Sequence, residues 1–117
     1  MLKIVNKIWG KEEWLVNSEF YCAKWLHLKK GYQCSLHKHK IKDETFYLVF
    51  GVVELEIGKL RRRHTLFPGQ QYRIKPNVLH RFKSLTPQST ILEVSTHHED
   101  SDSYRVIKSG KIKGDCL

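Results

Sequence analysis

Glycine and proline punctuate this chain at short intervals, and no other feature constrains its fold as tightly. Gly10, Gly31, Gly51, Gly58, Pro68-Gly69, Pro76, Pro87 and Gly110 separate short runs rich in β-branched and aromatic residues. Glycine admits positive φ and proline removes a backbone donor, so both interrupt regular elements. Turn signals at this spacing indicate an all-β sandwich or barrel. The runs read as strands over Glu12–Asn17, Tyr21–Leu28, Cys34–His37, Glu44–Phe50, Val52–Ile57, Arg63–Leu66, Gln71–Ile74, His80–Ser84 and Thr90–Thr96. Phe50-Gly51-Val52 and Ile57-Gly58-Lys59 read as tight hairpin turns, and Pro68-Gly69 as another turn. No stretch keeps helical periodicity over three turns.

At 117 residues, with 40% hydrophobic and 28% charged residues, the chain has material for one core. A single domain over 1–117 is expected, with the barrel core at about 20–97, an N-terminal strand before it and a polar C-terminal arm after it. No apolar run approaches the ~20 residues of a membrane helix, and Met1–Lys7 lacks the pattern of a secretory signal, so a cytoplasmic location is expected. Cys22, Cys34 and Cys116 have no CxxC spacing and read as reduced thiols. The net charge of +9 favours anionic partners. The densest basic run, Arg61-Arg62-Arg63-His64, lacks the interleaved exposed aromatics of a nucleic-acid groove and reads as a solvated loop. Neither nucleic acid nor membrane is expected as a partner.

The chemistry concentrates in Gly31-Tyr-Gln-Cys-Ser-Leu-His37-Lys-His39-Lys-Ile-Lys-Asp-Glu44. On an extended segment His37 and His39 leave by the same face. Glu44 follows a polar turn and opens an apolar strand, where the mouth of a barrel would lie. Two imidazoles and a carboxylate make an N/O metal site with open positions. His80, which opens the stretch after Lys75-Pro76-Asn77, is a fourth candidate from another hairpin. Histidines in a basic chain also serve as ordinary surface residues, and HxH alone arises by chance. The carboxylate at the head of a buried strand, with glycines bracketing the unit, sets this combination apart.

The pattern resembles the first cupin motif, in which Gly, five residues, HxH, three or four residues, Glu, six residues and Gly follow one another. Gly31, His37-Lys38-His39, Glu44 and Gly51 meet every fixed position. The second cupin motif is degenerate: Gly69 and His80 match, while Lys75, Asn77 and Ser84 stand where Pro, Gly and Asn are usual. Beyond these motifs, Ile8-Trp9-Gly10, Tyr21-Cys-Ala-Lys24, Ser35-Leu36-His37, Glu93-Val94-Ser95-Thr96 and Asp102-Ser-Tyr-Arg105 are similar to phosphomannose-isomerase-type cupins. The resemblance implies a jelly-roll β-barrel. It also implies one divalent metal, Mn, Fe, Co, Ni or Zn, held by His37, His39, Glu44 and His80. The activity implied is that of a sugar isomerase of the mannose-6-phosphate isomerase type, acting on a sugar phosphate or nucleotide sugar. The alternatives are a non-catalytic sugar-binding module of carbohydrate biosynthesis and an iron-dependent dioxygenase. By analogy a homodimer forms through an N-terminal strand with Trp9 and Trp14; otherwise both tryptophans cap the barrel of a monomer.

Isomerisation needs a base near the metal and a clamp for an anionic substrate. Glu44 counts as a catalytic group as well as a ligand. Lys24 shares strand parity with Leu26 and Leu28, so it is either an inward clamp that also takes part in catalysis or a solvated lysine. Glu93 lies among apolar neighbours and reads as the base, or as a buried carboxylate paired with Lys or Arg. Arg105 either binds substrate phosphate or ties down the tail, the second being favoured. Tyr47 and Phe82 line the cavity or pack in the core. His97 and His98 point to opposite faces and mark a strand end and a surface turn.

Overall fold

A computed structural model describes residues 2–113; Cys116 and the Gly114-Asp115 end of the expected arm lie outside the described residues. Among the described residues thirteen strands follow one another: β1 (Lys3–Lys7), β2 (Gly10–Asn17), β3 (Cys22–Lys29), β4 (Tyr32–Gln33), β5 (Leu36–His39), β6 (Glu44–Phe50), β7 (Val53–Ile57), β8 (Arg62–Leu66), β9 (Gln71–Ile74), β10 (His80–Ser84), β11 (Gln88–Ser95), β12 (Ser103–Ile107) and β13 (Gly110–Lys111). One sheet runs β1-β2-β3-β11-β6-β9, and the other runs β12-β5-β10-β4-β13 with β7 on β10 and β8 on β7. The only helical piece among the described residues is a 3-10 turn at Asp100–Asp102. Among the described residues no helix is long and apolar enough to cross a membrane.

Period-two alternation places the side chains. β6 turns Glu44, Phe46 and Leu48 inward and Tyr47 and Val49 outward. β3 buries Cys22, Lys24, Leu26 and Leu28, while β11 buries Ser89, Ile91, Glu93 and Ser95. Leu26, Leu28, Leu48, Val53, Leu55, Leu66 and Ile91 fill the centre and one end of the barrel. Trp9 joins this core, edge-on to Phe82 at 5.1 Å, and Phe82 meets Phe46 at 5.8 Å. The first residues of β3 and β6 and the last of β11 place Lys24, Glu44 and Glu93 together at the other end. Two hydrocarbon-lined sheets thus close around one polar mouth.

Three local readings change. The strand expected at Cys34–His37 is split, because Cys34 leaves the ladder to accept the Phe82 N–H at its Sγ (3.3 Å) and Arg81 Nε–H at its carbonyl (3.0 Å). Gly51 is not a hairpin turn: β6 and β7 lie in different sheets, and the chain crosses between them there. Its φ of 83° suits glycine, and a Cβ would strike Ser89 Oγ and the Gln88 carbonyl. The segment read as an arm pairs with the second sheet, β12 on β5 and β13 on β4. Gly58, by contrast, does turn the β7–β8 hairpin.

Candidate metal centre

β5 sets His37 and His39 side by side with ring centres 5.0 Å apart. β10 pairs with β5 at His80 and His37 and brings the His80 ring to 4.3 Å from His37 and 5.6 Å from His39. One ring nitrogen from each lies within 4.8 Å of the others, so the three can hold a metal ion.

Backbone carbonyls orient all three rings. His37 Nδ1 lies 2.7 Å from the Ser35 oxygen, His39 Nδ1 3.1 Å from that of Asp102, and His80 Nδ1 2.9 Å from that of Val78. An Nδ1–H donated to a carbonyl leaves the Nε2 lone pair free as a ligand. Burial, reinforced by the neighbouring His80, pulls His37 down to about 3. Burial also takes His39 down to about 4, against the opposing pull of Glu44. Both are therefore neutral near pH 7, the form that binds metal.

Glu44 completes the cluster. Its Oε1 is 2.9 Å from His80 Nε2 and its Oε2 is 3.8 Å from His39 Nε2. Burial favours the neutral acid, but His80 and the Lys42 ammonium outweigh it and hold Glu44 well below the usual carboxylate range. Despite these approaches, His80 Nε2 and Glu44 Oε2 are buried without a hydrogen bond of good geometry. With Nδ1 committed to the Val78 carbonyl, the His80 ring aims Nε2 at a carboxylate oxygen 2.9 Å away. Two acceptors in that position require a shared proton or a cation between them.

Lys42 is the central residue that sequence reasoning missed. Expected in a polar turn, it is only 3% exposed. Its Nζ donates to Glu93 Oε2 at 2.9 Å and to His98 Nδ1 at 3.1 Å, and it lies 3.0 Å from Glu44 Oε2 as an ion pair without hydrogen-bond geometry. Burial works against its charge, but Glu93 and Glu44 prevail and raise its pKa. Glu93 moves the other way from an ordinary carboxyl: burial raises it despite Lys42 and Lys24. The available signal was parity, since Lys42 stands two residues before Glu44 on extended chain and shares its face.

His98 also departs from expectation. It does point away from His97, yet it turns into the barrel mouth instead of a surface turn. Its Nε2 is 2.9 Å from Asp100 Oδ1, and its ring stands edge-on to Trp14 at 5.2 Å.

Lys24 is buried and faces the cavity, so it is not the solvated lysine that was its alternative. It is not an unpaired clamp either: it lies 4.0 Å over the Trp14 ring and 3.7 Å from Glu12 Oε1, with Glu93 opposite in the ladder. Phe82 lines the cavity while remaining part of the core. Arg105 lies on β12 opposite His37 and lines the same cavity from an exposed position. Tyr47 does not line it. Its neighbours Phe46 and Leu48 point inward, so alternation turns Tyr47 to solvent, 41% exposed. The cavity encloses about 290 Å³ between Trp14, Lys24, the His37–His39 pair, Glu44 and Phe82.

Comparison with known proteins agrees with this geometry. Residues 24–96 match the Cupin domain family. A D-lyxose/D-mannose isomerase from Thermosediminibacter oceani is 33% identical over 110 aligned residues, covering 73% of this chain and 61% of that protein. The chain thus spans about three fifths of the length of that curated relative. KdgF from Halomonas sp. superposes with a TM-score of 0.71 at 20% identity, over 78% of this chain and 81% of that one. Oxalate decarboxylase from Bacillus subtilis gives 0.78 at 18% identity, over 90% of this chain and 30% of that one. The last two likenesses are likenesses of fold.

Proposed function

This chain belongs to the cupin family, and on that footing we propose that it is a metal-dependent isomerase interconverting an aldose and a ketose. The observation that carries the reading is the convergence of three carbonyl-oriented imidazoles and a buried carboxylate beside Lys42 and Glu93 in one polar cavity. We assign His37, His39, His80 and Glu44 as the residues that hold a divalent ion. Their donor set fits: three imidazole nitrogens, one carboxylate, and orphaned Nε2 and Oε2 atoms that a cation satisfies. When bound, the ion supplies Lewis-acid stabilisation of negative charge developing on adjacent sugar oxygens.

The chain's own residues supply the rest. Glu93, raised toward neutrality by burial, takes the proton from one carbon of the substrate and returns it to its neighbour. Lys42 holds the Glu93 carboxylate in place from 2.9 Å. Trp14 and Phe82 wall the cavity and exclude water. The curated relative is named for D-lyxose and D-mannose, which makes these the first substrates to try. A phosphorylated sugar is a second reading, favoured by Lys3, Lys7 and Arg105 around the same cavity.

The test combines elemental analysis of purified protein with isomerisation assays on D-mannose, D-lyxose and mannose 6-phosphate. One divalent ion per chain and turnover of one sugar pair, both lost in His80→Ala, are expected. Full metal loading with sugar binding and no turnover identifies a binding module instead. Oxygen consumption by the iron form identifies an oxygenase.

A further inference from the structure

An exposed carboxylate reaches the buried site through two side chains. The Asp100 side chain is 91% exposed, yet its Oδ1 lies 2.9 Å from Nε2 of His98, whose side chain is 9% exposed. The other ring nitrogen, Nδ1, stands 3.1 Å from the Lys42 ammonium, which donates to Glu93 Oε2 at 2.9 Å. Donor chemistry fixes the direction of each bond. An ammonium only donates, so Nδ1 presents its lone pair. A second ring proton there would face the ammonium, so the ring is neutral. Its one proton sits on Nε2 and is donated to Asp100, which only accepts. Two more contacts hold this arrangement. Asn17, the last residue of β2, accepts the His98 N–H at 2.9 Å and donates to the His98 carbonyl at 3.0 Å. The 3-10 turn that carries Asp100 also carries Asp102, whose carboxylate accepts the Lys42 N–H at 3.0 Å. One turn therefore grips Lys42 at its main chain through Asp102 and at its ammonium through Asp100 and His98.

We propose that Asp100 is a positioning residue: by holding the His98 ring at Nε2 it keeps the Lys42 ammonium, and through it the Glu93 carboxylate, in place for the reaction. Its catalytic consequence rests on the isomerase reading; the placement of His98 and Lys42 does not. Held at Nδ1 alone, the ring pivots about its Cβ–Cγ bond; held at both nitrogens, it does not. Donation from Nε2 also strengthens Nδ1 as an acceptor, because chained hydrogen bonds polarise one another. An exposed ion pair contributes little to folding, so the worth of Asp100 lies in geometry. Glu99 supplies a matched comparison. It too is exposed, and it lies 2.8 Å from Nε2 of His97, a ring outside the cavity lining.

The test compares Asp100→Ala, Asp100→Asn and Glu99→Ala, by sugar isomerisation in the metal-loaded protein and by nitrogen–proton NMR of histidine rings and lysine ammonium groups in its zinc form. Asp100→Ala should lower kcat about tenfold, with KM and the thermal midpoint unchanged. Asp100→Asn, whose amide oxygen accepts the same N–H, should restore most of that loss, and Glu99→Ala should match the wild type. The wild-type spectrum should place the His98 proton on Nε2 and show a sharp Lys42 ammonium signal. Both signals should broaden in Asp100→Ala and in neither other variant. A His98 proton on Nδ1, or an Asp100→Ala kcat equal to that of Glu99→Ala, overturns the proposal. So does a raised KM with kcat unchanged, which would make Asp100 a substrate contact. A wild type that loads metal and turns over no sugar removes the isomerase reading. The Lys42 signal then decides the placement: broadening in Asp100→Ala upholds it, and a sharp signal there overturns it.

Discussion

Lys42 balances two buried carboxylates with one ammonium, and its removal should be costly. Lys42→Met leaves Glu44 and Glu93 without their shared cation, so a loss of about 3–5 kcal/mol in urea unfolding is expected. His98 accepts one N–H of that ammonium at 3.1 Å. His98→Ala should lower kcat while leaving metal content unchanged, and His98→Asn should restore part of it, because an amide oxygen can accept the same N–H. Acid should unfold the metal-free protein through His37 and His39, whose folded values of about 3 and 4 lie below the ordinary 6.5. Between pH 6.5 and 4 the unfolded chain binds protons that the folded chain refuses, so stability falls as pH falls across that window. A pH series of denaturant midpoints measures it. The imidazoles and Glu44 were legible in the sequence because HxH and a strand-opening carboxylate follow local parity. Tyr47 was misplaced although the same parity, counted from Glu44, turns it outward. Lys42 and His98 stayed hidden because their acceptors come from strands distant in the chain.

Turn glycines separate two costs at the level of elements. Gly51 and Gly58 both hold positive φ, 83° and 81°. An added Cβ at Gly58 meets nothing within 4 Å, whereas at Gly51 it meets Ser89 and Gln88. Gly58→Ala should cost about 1 kcal/mol from backbone strain alone, and Gly51→Ala more than about 2 kcal/mol because packing must also give way. Thermal unfolding of the two variants makes the comparison. Both turns could be read in the sequence, but their destinations could not. Gly58 closes a hairpin and Gly51 carries the chain from one sheet to the other, a difference decided by the partners of β6 and β7. The Cys34–His37 strand failed for a related reason, since its break depends on the thiol and carbonyl of Cys34 meeting β10.

For the molecule as a whole, a bound ion adds stability to a small barrel in proportion to its saturation. At a free concentration 100 times its Kd an ion contributes ~2.7 kcal/mol. Stripping it with a chelator should therefore lower Tm by roughly 10 °C for a chain of this size, and His37→Ala should abolish the difference. The all-β class followed from turn spacing, and the barrel from the motif pair. The strand role of the C-terminal segment was not visible, because short polar strands gain their pairing from the sheet they join.

That segment has a consequence for engineering. The Asp102 carboxylate accepts the backbone N–H groups of Lys40, Ile41 and Lys42 at 2.9, 3.2 and 3.0 Å, and its carbonyl steadies His39. A protein trimmed at residue 96, where the match to the family ends, would retain all four proposed ligands. It would lose the splint that sets their angles, so a minimal version of this barrel should be cut beyond β12.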